Sequence, residues 1–283
     1  MNIPFIKMHG AGNDYIYIDG FKTSVQKPVV LAREISNRHT GIGSDGLVII
    51  HPSTVAHCRM QMFNADGSEG QMCGNAIRCV GKFMYEYGYC SQTTLTVETL
   101  SGIKTLRLTV DNGIVKFVEV EMGQANFTAA ALPMLTDAPI WKNQPLAIGD
   151  ETFHITAVSM GNPHIVIFCD DIDAVPLALW GSRLEHHPLF PQRVNVGFAQ
   201  IVSSSALRLR VWERGSGETL ACGTGACAAV AAAVTNAYLT ADTQIRVEVR
   251  GGELLITCAA DFSIIMKGAA ALIAEGIYFQ KTN

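Results

Sequence analysis

The chain has 283 residues, 48% hydrophobic and 16% charged, which is too apolar for a disordered chain and long enough for two domains. Lysines and arginines number 21 against 25 aspartates and glutamates, a formal net charge of −4, so no positive excess exists to draw in a phosphate backbone. No apolar run approaches the roughly 18 residues of a membrane-crossing helix, and residues 1–14 lack a charged-then-apolar leader pattern. A cytoplasmic protein is expected, acting on a small molecule and not on nucleic acid or a membrane.

Along the chain, the first β-rich stretches are residues 15–18, just after Gly12-Asn13, and residues 47–50. Gly41, Gly43 and Gly46 match G-x-G-x-x-G, but a strand pattern and then Pro52 follow. A dinucleotide fingerprint must open a helix, so nucleotide binding is rejected. A Gly-rich turn next leads through Cys73-Gly74 into a predicted helix over residues 75–87, with Asn75 as its N-cap. Strands are predicted at 94–97, 104–110 and 115–120. Residues 123–151, with Pro133, Pro139 and Pro145, read as a connection. Gly161-Asn162 then opens another β-rich stretch, 164–168. His186-His187, beside Pro188, reads as loop. A second turn, through Cys222-Gly223, leads into a predicted helix over 224–238 with Thr224 as N-cap. That helix holds six alanines from Ala226 to Ala233 and no charge, the mark of a buried helix. Strands follow at 245–249, 253–258 and 262–266.

The order of these features repeats. Gly12-Asn13 recurs as Gly161-Asn162, and Glu69, Cys73 and Gly74 recur as Glu218, Cys222 and Gly223, both at an offset of 149. Val97-Glu98 with Gly102 recurs as Val247-Glu248 with Gly252, at an offset of 150. A period this long is a duplicated domain and not a solenoid. The expected fold is α+β, with two similar lobes from an internal duplication. Each lobe is a mostly antiparallel sheet wrapped around a buried central helix, and the active site lies in the cleft between lobes. The N-terminal lobe is 1–122 and the C-terminal lobe 123–283, with the final segment 269–283 available to pack back on the first.

Of eight cysteines, Cys58, Cys79, Cys90, Cys169, Cys227 and Cys258 read as buried apolar residues. A chain of this size needs no disulfide staples in a reducing compartment. No C-x2-C pair exists, so no metal site is expected. Cys73 and Cys222 differ, because each precedes a helix entrance whose N–H groups favour anions and lower a thiol's pKa. Two equivalent thiols suit inversion at an acidic carbon: one thiolate removes a proton and the opposing thiol delivers one. A thiol redox pair is the alternative from another class.

Here a resemblance becomes specific. Residues 7–14 (KMHGAGND), 41–46 (GIGSDG), 64–69 (NADGSE) and 73–75 (CGN) are similar to diaminopimelate epimerases. So are 161–164 (GNPH), Asn195-Val196, 213–219 (ERGSGET) and 221–225 (ACGTG), in order over essentially the whole chain. The resemblance implies a cofactor-independent, PLP-independent isomerase that interconverts LL- and meso-diaminopimelate, on the way to lysine and the bacterial cell wall. It also implies a homodimer. By resemblance Cys73 and Cys222 are acid and base, with His164 and Glu213 near the chemistry. The N–H groups of Gly74, Asn75, Gly223 and Thr224 would hold the reacting carboxylate. Asn13, Asn64, Asn162, Asn195, Glu213 and Arg214 would hold the amino groups and the distal carboxylate. The offset independently pairs Asn13 with Asn162, Asn64 with Glu213 and Gly46 with Asn195. Three positions depart from the family: Gly46, where some members carry a substrate-touching Gln; Ala76, where many have Gly; and Gly197, where Glu is common. The first leaves open a racemase for another amino acid on the same scaffold.

Overall fold

The computed structural model describes residues 2–280. They form two compact units, 2–120 with 268–280, and 121–267.

The first unit runs β1 (Asn2–Gly10), β2 (Asn13–Asp19), α1 (Pro28–Ser36), β3 (Gly46–His51), β4 (Cys58–Asn64), β5 (Glu69–Gly70), α2 (Gly74–Glu86), β6 (Thr94–Thr99), β7 (Gly102–Asp111) and β8 (Ile114–Gln124). The second runs β9 (Gln144–Ile148), β10 (Glu151–Ser159), β11 (Pro163–Phe168), α3 (Leu177–Glu185), β12 (Asn195–Ser203), β13 (Ala206–Glu213), β14 (Gly217–Glu218), α4 (Gly223–Thr235), β15 (Gln244–Val249), β16 (Gly252–Cys258) and β17 (Ser263–Gly268). The tail then supplies β18 (Ala271–Phe279), which pairs antiparallel with β1.

Parallel neighbours cannot be joined by a hairpin and need a crossover. In the first unit β2 pairs parallel with β3, and α1 is that crossover. β4 pairs parallel with β6, and α2 is the crossover there. The other pairings of the unit are antiparallel. The second unit repeats the scheme, with α3 between parallel β11 and β12 and α4 between parallel β13 and β15. The α+β class holds, with two parallel pairs inside each mostly antiparallel sheet.

Register carries the duplication down to single residues. Tyr15 pairs with Gly46 in β2–β3, and His164 pairs with Asn195 in β11–β12, both residues displaced by 149. The structure also finds a counterpart for the expected connection. Residues 123–151 contain a short 3-10 turn, Ala129–Ala131, and β9, which pairs with β10 as β18 pairs with β1. The counterpart of β9 therefore comes at the far end of the chain, where no constant offset reveals it.

Helices on both faces explain why residues 15–18 and 47–50 read as unbroken apolar runs. Ile16, Ile18, Leu47 and Ile49 pack with Leu31, Ala32 and Ile35 of α1. Tyr17 points the other way, toward α2, where its hydroxyl donates to Ala76 O at 3.2 Å. In α2 every residue from Gly74 to Met84 is buried, Arg78 included. Arg78 donates to Gly74 O at 3.1 Å and to Ala269 O at 3.2 Å, tying the entrance of α2 to the residues just before β18. No helix among the described residues is long and apolar enough to cross a membrane.

Candidate active site

Both central helices begin earlier than the capping pattern suggests. Asn75 and Thr224 are not the N-caps; Cys73 and Cys222 are, each in extended backbone. The sulfur of Cys73 accepts the Ala76 N–H at 3.5 Å and that of Cys222 accepts the Gly225 N–H at 3.4 Å. A thiol in this place was not expected as a cap because caps are normally oxygen side chains. The helical ladders start with Ile77 N–H to Cys73 O and Ala226 N–H to Cys222 O. The N–H groups of Gly74-Asn75 and of Gly223-Thr224 lie ahead of those ladders, in the part of a helix that attracts anions.

In the first unit Ala11 and Gly12 both have positive φ, 53° and 82°, which makes the tight hairpin between β1 and β2. The hairpin delivers Asn13 to Cys73, whose thiol donates to Asn13 Oδ1 at 3.3 Å. Asn13 Nδ2 donates to Asp45 Oδ2 at 2.7 Å. Asp45 also receives Arg38 at 2.9 Å, and Arg38 and Lys7 converge on Asp14 at 2.7 and 3.0 Å. Burial opposes the Asp14 charge, but these two cations outweigh it and hold its carboxyl below the usual range. Asn64 closes the β4–β5 turn, donating to Ser68 Oγ at 2.9 Å. At Gly46 a Cβ would lie 2.1 Å from Phe63 O and 2.7 Å from the Tyr15 ring, so the close approach of these two groups leaves no room for a side chain here.

In the second unit Asn162, His164, Glu213, Thr224 and Cys222 come together. His164 Nε2 lies 3.1 Å from Asn162 Oδ1 and 3.1 Å from Thr224 Oγ1. Burial, and then the Arg214 charge, push His164 down to about 3, so the imidazole is neutral at ordinary pH. A carbonyl oxygen can only accept, so Nε2 carries the proton. Asn162 Nδ2 donates to Thr224 Oγ1 at 3.3 Å, and that hydroxyl lies 3.5 Å from Cys222 Sγ. The one Nε2 proton is shared between Asn162 and Thr224, and the Thr224 hydroxyl can donate to the Cys222 sulfur when that sulfur is ionised.

Burial pushes the Cys222 thiol well up, and the Glu213 carboxylate adds to the rise, while the Thr224 and Gly225 donors oppose it. The Thr219 hydroxyl donates to Glu213 Oε1 at 2.6 Å. Asn195 is 4% exposed and uses both ends of its amide inside the unit. Its Nδ2 donates to Pro163 O at 2.8 Å, and its Oδ1 accepts the Arg214 N–H at 2.9 Å. It thereby sets the turn bearing Arg214, whose guanidinium reaches Gln192 O at 3.1 Å. Asp45 and Thr219 were not singled out from the sequence, although both sit inside the quoted motifs. Their signal was adjacency to Gly46 and to Glu218, which spacing alone does not rank. None of the eight cysteines is paired in a disulfide; Cys58, Cys79, Cys90, Cys222, Cys227 and Cys258 are buried, while Cys169, expected to be buried, is half-exposed.

A family model described as diaminopimelate epimerase matches residues 5–128 and 156–273. A diaminopimelate epimerase from Desulfovibrio desulfuricans is 50% identical over 284 residues, 98% of each chain. One from Acetivibrio thermocellus is 47% identical over 273 residues, 96% of this chain and 97% of its own. Among solved structures, a phenazine biosynthesis protein of the PhzF family from Bacillus anthracis shares the fold, with a TM-score of 0.73 at 16% identity over 99% of this chain and 100% of its own.

Proposed function

The chain belongs to the diaminopimelate epimerase family, and from that premise we propose that it interconverts LL-2,6-diaminopimelate and meso-diaminopimelate. Cys73 and Cys222 act on one α-carbon from opposite faces. One thiolate takes the α-proton, the electron pair spreads into the carboxylate, and the other thiol gives its proton to the opposite face. The proton count is unchanged, and the two cysteines exchange roles with direction. The observation that carries this reading is the duplicated cap: two cysteines 149 positions apart, each turning its sulfur onto the first turn of an equivalent helix.

An α-proton beside a carboxylate is very weakly acidic. Proton transfer by positioned groups contributes about 10²–10⁴-fold, and each preorganised donor to the developing charge about 3–4 kcal/mol. The N–H groups of Gly74, Asn75, Gly223 and Thr224 supply those donors. A sulfur whose pKa is raised by burial is also a stronger base once ionised, at the cost of a smaller ionised fraction near neutrality. Asn13, Asn64, Asn162, Asn195 and Glu213 bind the amino groups and, with Arg214, the distal carboxylate. The neutral His164 contributes through Asn162 and Thr224.

The step belongs to lysine and cell-wall precursor synthesis in the cytoplasm. The enzyme acts as a homodimer, and the exposed Leu272, Ile273, Ile277 and Phe279 of β18 support that reading. The deciding experiment is incubation with LL-diaminopimelate in D2O. Deuterium enters the α-carbon as the meso isomer forms. Absence of exchange there, with exchange into another amino acid from a panel, would instead identify a racemase of different specificity, the reading that Gly46 raises.

A further inference from the structure

We propose that Asp45 is a positioning residue for Cys73: by accepting the Asn13 amide N–H it turns the Asn13 carbonyl oxygen onto the Cys73 thiol. The inference rests on the reading of Cys73 as acid and base.

An asparagine amide has a donor end and an acceptor end, and a neighbour that can only accept determines which way it faces. A carboxylate is such a neighbour. Asp45 Oδ2 lies 2.7 Å from Asn13 Nδ2 and 3.2 Å from the Asp14 N–H, while Asp45 Oδ1 receives Arg38 at 2.9 Å. The backbone locks the carrier as well, with Asp45 N–H to Asp14 O at 2.8 Å and Ala65 N–H to Asp45 O at 3.1 Å. With its nitrogen held there, Asn13 can offer only Oδ1 to the sulfur, 3.3 Å away.

The second unit solves the same problem differently. The residue at the Asp45 position is Val194, fully buried. Asn162 is turned by Thr224 and His164, and the Thr224 hydroxyl gives Cys222 a donor. The duplicated sites are thus chemically unequal. A carbonyl partner retains the proton on Cys73, whereas a hydroxyl partner offsets part of the rise that burial imposes on Cys222. Titratable groups coupled to Cys73 include Tyr17 of β2 and Cys79 of α2. Burial pushes Cys79 up to about 11 and Tyr17 well above its ordinary value, so neither is charged near neutrality. Asp45 is linked to the sulfur by hydrogen bonds through Asn13, and Arg38 joins that chain at Asp45.

The test reads the thiol and not turnover, so it stands whether or not diaminopimelate is the substrate. Cys73 alkylation by iodoacetamide is followed by peptide mass spectrometry across pH in the full chain. In Asp45→Asn the new amide accommodates either orientation of Asn13, so a donor can face the sulfur. The alkylation midpoint of Cys73 should fall by about one pH unit, a rate gain of roughly tenfold at neutral pH. Asp45→Glu should restore the original midpoint. The same Asp45→Asn change made on Asn13→Ala should move the midpoint by less than half as much, because the connection is already cut. An unchanged midpoint in Asp45→Asn, or an equal shift with and without Asn13, would overturn the proposal. If Asp45→Asn does not fold, Asn13→Ala alone decides: a lowered midpoint supports the carbonyl's role, and an unchanged or raised one refutes it.

Discussion

Cys222 accepts the N–H of Gly225 at 3.4 Å, doing with sulfur what helix caps ordinarily do with oxygen. Cys73 does the same with Ala76 at 3.5 Å. Capping and catalysis therefore fall on the same atom, and substitution separates them. Serine caps better than cysteine but is a far poorer base near neutral pH. Cys73→Ser and Cys222→Ser should keep or slightly raise the thermal midpoint while epimerisation falls by about 10²–10⁴-fold. Alanine at either position should lose activity and also about 0.5–2 kcal/mol of stability. Thermal melts beside turnover of LL-diaminopimelate check both, and a serine variant near full rate would remove the two-thiol scheme.

His164 makes stability depend on acid. Its value falls from 6.5 to about 3 on folding because burial disfavours the imidazolium. Between those two values the unfolded chain holds a proton that the native protein lacks, so stability is lost as pH falls from 6.5 toward 3. The slope is about 1.4 kcal/mol per pH unit for one such group. The carboxylates of Asp14, Glu185 and Glu218, all lowered, lose their contribution only below the ordinary carboxylate range of 3.8–4.5. The window from about pH 6.5 to about pH 5 therefore isolates His164. His164→Gln retains a donor for Asn162 but cannot titrate, so urea unfolding across that window should flatten. Equal slopes in the two proteins would refute the assignment.

Gly46 looked from the sequence like a lost substrate contact. The structure gives a different reason for the glycine, since a Cβ there would meet Phe63 O at 2.1 Å in the neighbouring strand. Gly46→Gln should destabilise the protein by about 1–3 kcal/mol and bring no tighter substrate binding. Chemical denaturation and KM measured together test this. A stable variant with a lower KM would show that the strand can move aside.

What the sequence made legible followed from what repeats. The cysteines and the paired glycine–asparagine turns sit at an offset of 149 and the strands after each helix at 150, and the structure gives the repeated strands equivalent registers. The β9–β18 equivalence escaped because its copies lie at opposite ends of their units, where a constant offset cannot find them. The caps were assigned to Asn75 and Thr224 because propensity favours oxygen side chains, and the reactive sulfurs took the place instead. Asn195 reads from its motif as a direct ligand, and the structure adds a second task that only three-dimensional contacts reveal: its buried amide also ties Pro163 to Arg214. Arg78 carried no motif at all, and its role depends on a carbonyl 191 residues away.

Glu213 offers the sharpest opposition of two effects at one residue. Its carboxylate adds to the rise that burial imposes on Cys222, and Thr219 holds it in place at 2.6 Å. Glu213→Gln removes the negative charge but retains a polar side chain. The Cys222 alkylation midpoint should therefore fall, and thiolate should become more abundant at neutral pH. Turnover should nevertheless drop by at least about 10²-fold, the lower range for a positioned acid–base group, because the same carboxylate is proposed to bind a substrate ammonium. Thr219→Val should move both quantities the same way but less, since the carboxylate survives and only its orientation is released. A sulfur that becomes more reactive in an enzyme that becomes slower separates substrate holding from thiol activation. If the Cys222 midpoint instead rises or stays in Glu213→Gln, the carboxylate does not act on the sulfur, and the electrostatic account of this half-site fails.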